Sequence, residues 1–178
     1  MKQLIKIIDG VSTVIGGAAG VMLCLGLLLT CGEILLRTAF DRTLYITDEY
    51  SGYLMCGLTF CALGYTLKEK GHIRMTLIHG IVKERKRAIL DTLCFFLGFL
   101  FSIFITFHTW GLFYDSVATK SQSMQISSTY LAIPQFFMPF GAFIMTLQFF
   151  SEFLKGILLL KGDTAGLVLR EEIKDLGR

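Results

Sequence analysis

Four stretches of this chain, Gly10 to Gly32, Tyr50 to Leu67, Thr92 to Tyr114 and Ser121 to Ser151, contain no Asp, Glu, Lys or Arg. Each is long enough to cross a bilayer, whose hydrocarbon core takes about 20 apolar residues at a rise of about 1.5 Å each. Hydrophobic residues make up 53% of the chain and charged residues only 17%, against about 25% charged in soluble domains. Folded in water, so apolar a chain would lack the polar surface to cover itself. The pattern predicts an all-α integral membrane protein with four transmembrane helices over about residues 11–40, 50–67, 92–114 and 132–154. These form a membrane domain over residues 1–160, followed by a tail over 161–178.

Lys2 and Lys6 precede the first apolar run as they would in a signal peptide. The run exceeds the roughly 7–15 residues of a signal-peptide core, so it is expected to stay as a span. Lys and Arg near span ends set orientation. Two precede the first span, two lie between the first and second (Arg37, Arg42), seven between the second and third, one after the third (Lys120) and five after the fourth. Both termini and the middle connection are therefore expected in the cytoplasm. Tyr50, Tyr53, Trp110, Tyr114 and Tyr130 fall at the outer ends, where amphipathic rings favour the headgroup region.

The first helical pattern runs to about Phe40, longer than the hydrocarbon core, so it must tilt or project. Gly16 and Gly20 have the spacing that lets two membrane helices approach closely. Glu33 and Arg37 stand one turn apart with the acid first, the favourable order for an ion pair, and as charges at the membrane boundary they are candidates for contact with a partner. Asp48 and Glu49 suit the first turn of the second helix, with Thr47 and Asp48 as its expected cap. A docking role for these carboxylates is the competing reading. Leu77, Ile78, Ile81 and Val82 recur at helical spacing beside Lys83, Arg85, Lys86 and Arg87. An amphipathic helix over about residues 74–88, lying in the inner interface, is expected from them, with membrane lipids rather than nucleic acid as the partner of its cations. Pro134 and Pro139 remove backbone donors from the outer half of the fourth segment and are expected to kink it or delay its start.

The five cysteines all lie inside apolar segments and are expected to act as small apolar residues, with neither disulfide nor metal. His72, His79 and His108 have no ligand partner at suitable spacing. No nucleophile, base and metal constellation is present, and no cofactor is expected. Nor do the spans show the midplane polar residues and broken repeats of a stand-alone transporter. The chain thus reads as serving a larger membrane partner. Two other readings stay open: a four-helix membrane thiol redox enzyme, and a self-sufficient small oligomeric exporter with Glu33 as its coupling acid.

Gly32 to Phe40 (GEILLRTAF), Thr47 to Tyr50 (TDEY), Leu58 to Ile73 (LTFCALGYTLKEKGHI) and Ser127 to Gln148, which includes IPQFFMPFG, together resemble the small membrane subunit of tripartite ATP-independent periplasmic (TRAP) transporters, the DctQ family. The resemblance covers about residues 10–155. It implies a bacterial inner-membrane protein that scaffolds a large membrane subunit of the DctM type and helps dock a periplasmic substrate-binding protein. The implied process is sodium-driven uptake of a carboxylate solute such as a C4-dicarboxylate or a sialic acid, with sodium held by the large subunit. Glu33 and Arg37 match the family's first charged pair, Asp48 and Glu49 its acidic pair, and His72 its Gly-His-Ile turn. Gly52 stands where an Arg often follows the acidic pair, and Thr76 where an acid often follows His-Ile.

Overall fold

A computed structural model of the chain describes residues 2–69 and 84–160. Its elements are α1 (Lys2–Phe40), α2 (Thr47–Lys68), α3 (Glu84–Ala118), a short α4 (Ala132–Gln135) and α5 (Phe137–Leu160). α1 continues through 39 residues, about 58 Å, and α3 through 35 residues, about 52 Å. Both outrun the hydrocarbon core. Asp41, with φ of 53°, ends α1 in the left-handed conformation that Asp tolerates better than most residues.

The helices stand side by side in the order α1, α2, α5, α3, and α1 also reaches α5 near the chain termini. The α1–α2 and α3–α4 connections lie at one end of this row, the loop end; the start of α1 and the end of α5 lie at the other, the terminal end. α1, α3 and the combined stretch Ala132–Leu158 are long and apolar enough to cross a membrane. α2, about 33 Å long for its 22 residues, is more polar, with three Gly, three Tyr and three Thr. Its composition follows from its place between two neighbours. Gly57 comes against Met22 of α1 and Phe137 of α5, and Gly64 against Ile144 of α5 and Ser12 of α1. Small residues here let three helix backbones converge, the usual basis of helix association in lipid.

Gly16 also sits at an interface, against the ring of Tyr65, whereas nothing lies within 4 Å of the position a side chain would take at Gly20. The expected glycine pair is thus one contact glycine and one open position. α3 and α5 join through tilted ring pairs, Phe96 with Phe153 and Phe99 with Phe150, and through a 3.0 Å hydrogen bond between the hydroxyls of Thr106 and Thr146.

The proline expectation is met at the start of the last helix. α4 gives way to α5 at Phe136, and Pro139, fully buried, has no N–H to offer the carbonyl of Gln135. The expected cap of α2 is not found. Ile46 is the cap residue and makes no side-chain cap hydrogen bond, although Asp48 and Glu49 do occupy the first turn. Of the expected interfacial helix, residues 84–88 are the opening turns of α3, so Arg85, Lys86 and Arg87 begin that long helix. Lys83 and His72, with the rest of residues 70–83, lie outside the described residues, as does the tail 161–178. All five cysteines are free, and Cys24, Cys31 and Cys94 are exposed on helix surfaces rather than enclosed.

Candidate functional site

At the loop end the acids expected to form pairs divide their roles. Glu33 does not pair with Arg37. Its carboxylate bends across to the α1–α2 connection, where one oxygen accepts the Leu44 N–H at 2.8 Å and the Thr47 hydroxyl at 3.2 Å. Two backbone-proximal donors within reach outcompete an exposed ion pair, which is worth little in high dielectric. Arg37 stays exposed at the end of α1. In the second pair, Asp48 is exposed and Glu49 is buried. Each pair therefore contributes one carboxylate that braces the fold and one charge left at the surface.

Glu49 anchors the α3–α4 connection. The Tyr53 hydroxyl donates to it at 2.6 Å from one turn below, and the Ser127 hydroxyl donates to its other oxygen. The connection is a small hairpin: Gln122 and Tyr130 form an antiparallel bridge, the Ser123 N–H reaches the Thr129 carbonyl at 2.9 Å, and the Leu131 N–H reaches the Ser121 carbonyl at 3.0 Å. Ser127 also bonds Thr129 at 2.9 Å, and the Tyr50 hydroxyl lies 3.4 Å from that of Thr129. Hydrogen bonds from Ser123, then Ser127 and Tyr53, hold the Glu49 carboxyl below the usual carboxylate range.

The sign of the pH dependence follows. Glu49 strengthens the folded state fully at neutral pH, and its contribution is lost only as pH falls below the usual carboxylate range through the lowered folded value. Amide exchange across residues 121–131 should stay slow at neutral and mildly acidic pH and quicken in stronger acid. Glu49→Ala should show fast exchange at every pH; a wild-type hairpin equally protected in strong acid would contradict the anchor.

At the terminal end lies a polar cluster that the residue pattern did not reveal. Lys155 donates to Glu152 at 2.7 Å and to both carboxylate oxygens of Asp9 at 3.2 and 3.0 Å. Gln148 donates to Asp9 at 2.9 Å and accepts from Ser12 at 2.7 Å. Ser12, Gln148 and Glu152 are buried. The cluster ties α1 to α5, with 136 to 146 residues of chain between partners. The available signal was the run Gln148, Ser151, Glu152, Lys155 on one face of an otherwise apolar helix, and it names no partner. Nearby, the Lys68 ammonium donates to Thr13 at 2.8 Å, joining α2 to α1.

Among the described residues no group of His, Cys, Asp and Glu is placed to hold a metal ion. Most of the ionisable and polar groups between the helices are engaged, Asp9, Ser12, Gln148, Glu152 and Lys155 at one end, Thr106 with Thr146 midway, Glu33 and Glu49 at the other, while the Ser151 hydroxyl and the Gln135 side-chain oxygen are buried without a hydrogen bond. What such an arrangement does is hold a set of membrane helices at fixed separations.

Residues 26–159 match the family model for the DctQ component of tripartite ATP-independent periplasmic transporters. The chain belongs to this family. It is also 25% identical, over 158 residues covering 85% of this chain and 80% of the relative, to the ectoine TRAP transporter small permease protein TeaB of Halomonas elongata. No solved structure matches it. As a DctQ-family protein the chain is a small membrane subunit of a TRAP transporter, a transport component rather than an enzyme. The family implies association with a large membrane subunit and a binding protein. The Glu33 role required by the exporter reading has no support here, since the carboxylate braces a connection.

Proposed function

We propose that this DctQ protein is the non-catalytic scaffold of its transporter, fixing the large subunit in the membrane and helping the periplasmic binding protein to dock. One observation carries the reading: Asp9, Ser12, Gln148 and Lys155, and Thr106 with Thr146, fasten helix to helix, which suits a rigid support and leaves solute passage to another subunit. The chain then crosses the bacterial inner membrane four times, with α2 as the fourth span, both termini in the cytoplasm and the loop end in the periplasm. α2 crosses in spite of its polar composition because α1 and α5 cover it. On this reading the partners of Lys83, Arg85, Lys86 and Arg87 are lipid headgroups on the inner side.

On this reading Arg37 and Asp48, exposed beside the two braced connections, are the charges that meet the binding protein. The solute carries a carboxylate, such as a C4-dicarboxylate or a sialic acid, with ectoine, named for the relative in Halomonas elongata, a further candidate to test. Sodium drives uptake through the large subunit.

The test has two parts. Cells making the large subunit and binding protein without this chain should not accumulate the solute, and the tagged chain should bring the large subunit with it from mild detergent. Purification as a lone monomer, with uptake intact after its gene is removed, would refute the scaffold. The double charge reversal Arg37→Glu with Asp48→Lys should leave co-purification unchanged while lowering uptake at limiting binding protein; unchanged uptake would remove these residues from the docking surface.

A further inference from the structure

The hairpin at the loop end has an uncharged sequence from Ser121 to Tyr130, although charged residues flank it at Asp115 and Lys120 and face it from α2. Some of its polar groups turn inward. Ser127 bonds Glu49, Thr129 meets Tyr50 and Ser127, and the Tyr130 hydroxyl donates to the Val117 carbonyl at 3.2 Å. Its backbone closes on itself, with the Ser128 N–H on the Gln125 carbonyl at 3.0 Å and the Gln125 N–H on the Ser123 hydroxyl at 3.1 Å. Gln122, Gln125 and Ser128 are exposed, and among them stand two large apolar side chains, Met124, 107% exposed, and Ile126, 78% exposed.

Depth decides what these two side chains meet. The hairpin is fastened to Glu49 and Tyr50 in the first turn of α2, one turn from Tyr53, and its own Tyr130 reaches back to α3 one turn past Tyr114. These tyrosines, with Trp110, are the rings that mark the headgroup level of a membrane-spanning chain. The hairpin runs from the end of α3 to the first turn of α2, and Met124 and Ile126 at its tip are exposed at that level. A segment with no charge and two apolar side chains at its exposed tip can enter the interfacial zone, where headgroups and water meet the polar groups it leaves outside.

The geometry points to a lipid-anchoring role for this hairpin: Met124 and Ile126 insert into the interfacial region of the adjacent leaflet and hold the loop end at a fixed depth. This rests on the chain spanning the membrane and not on which proteins accompany it. Trp110 is the single tryptophan, which permits a direct test. In a Trp110→Phe background, Met124→Trp and Ile126→Trp are introduced separately into the full chain, with Leu28→Trp, on the exposed face of α1, as reference. Each is placed in nanodiscs of ordinary or tail-brominated phosphatidylcholine.

The expected result is blue-shifted emission at 124 and 126, quenched by brominated lipid as Leu28→Trp is, and little affected by aqueous iodide. Iodide quenching without bromine quenching places the tip in water and overturns the proposal. Protection from both quenchers means that protein covers it, and iodide quenching that vanishes only on adding binding protein makes it a docking surface; either result overturns it too. Failure of the Leu28→Trp reference to quench overturns the spanning arrangement itself, and the proposal with it.

Discussion

Replacing Lys155 with Met should cost about 3–5 kcal/mol of folding stability, the penalty for stripping the partner from a buried charge. The Lys155 ammonium lies 2.7 Å from Glu152 and 3.0 Å from Asp9, and only 4% of the Glu152 side chain is exposed. Without the ammonium, two carboxylates share one enclosed region with no positive charge in the cluster, and Gln148 cannot neutralise either. The change is measured by denaturant unfolding of the detergent-solubilised chain, followed by helical circular dichroism. Replacing the whole charged set, Lys155→Met with Glu152→Leu and Asp9→Leu, should recover most of the loss, because buried ion pairs often exchange for apolar packing at little cost. A loss below about 1 kcal/mol for the single change would mean that water reaches the cluster and screens it.

Gly141→Ala should be the most damaging of the small substitutions. A Cβ at this position would fall 2.4 Å from the backbone carbon and oxygen of Phe60. A side chain at such a distance can rotate away, but a helix backbone cannot, so α2 and α5 must move apart along the seam at the middle of the row. Overpacking of this kind costs roughly 1–3 kcal/mol, and the rigid neighbour puts this case near the upper figure. Gly20→Ala is the control. Nothing lies within 4 Å there, and Ala is the better helix former by about 1 kcal/mol. A lower melting temperature for Gly141→Ala and an unchanged or higher one for Gly20→Ala is the expected pattern; equal behaviour would show that the α2–α5 seam is not closely packed.

Much of the helical framework was legible because lipid imposes a simple rule: charge-free runs of sufficient length become helices, and prolines interrupt them. The break at Phe136 and the reach of α1 to Phe40 follow from that rule. The site was less legible. Glu33 and Arg37 have ideal spacing for a pair, yet spacing within a helix says nothing about a connection folding back over it, and Leu44 and Thr47 took the carboxylate. Glu49 was expected as a helix-terminal acid or a docking charge, and the serine it binds is 78 residues away, in a stretch with no distinguishing pattern. The Asp9 and Lys155 contact joins opposite ends of the chain, so no local periodicity could announce it. Gly16 and Gly20 were indistinguishable as letters; only the approach of Tyr65 separates them.

The spatial order of the helices differs from their order in the chain, and this bears on how the protein is made. α5, emerging last, takes the place between α2 and α3. Among the described helices α3 packs chiefly on α5, so until α5 leaves the ribosome α3 relies on its long run of Phe, Leu and Ile to partition into lipid. α5 then enters as a keystone, carrying Gln148, Glu152 and Lys155 into a slot already lined by Ser12 and Asp9. A nascent chain halted before Ala132 should accordingly insert its earlier segments yet leave Phe96 and Phe99 of α3 without the rings they meet on α5.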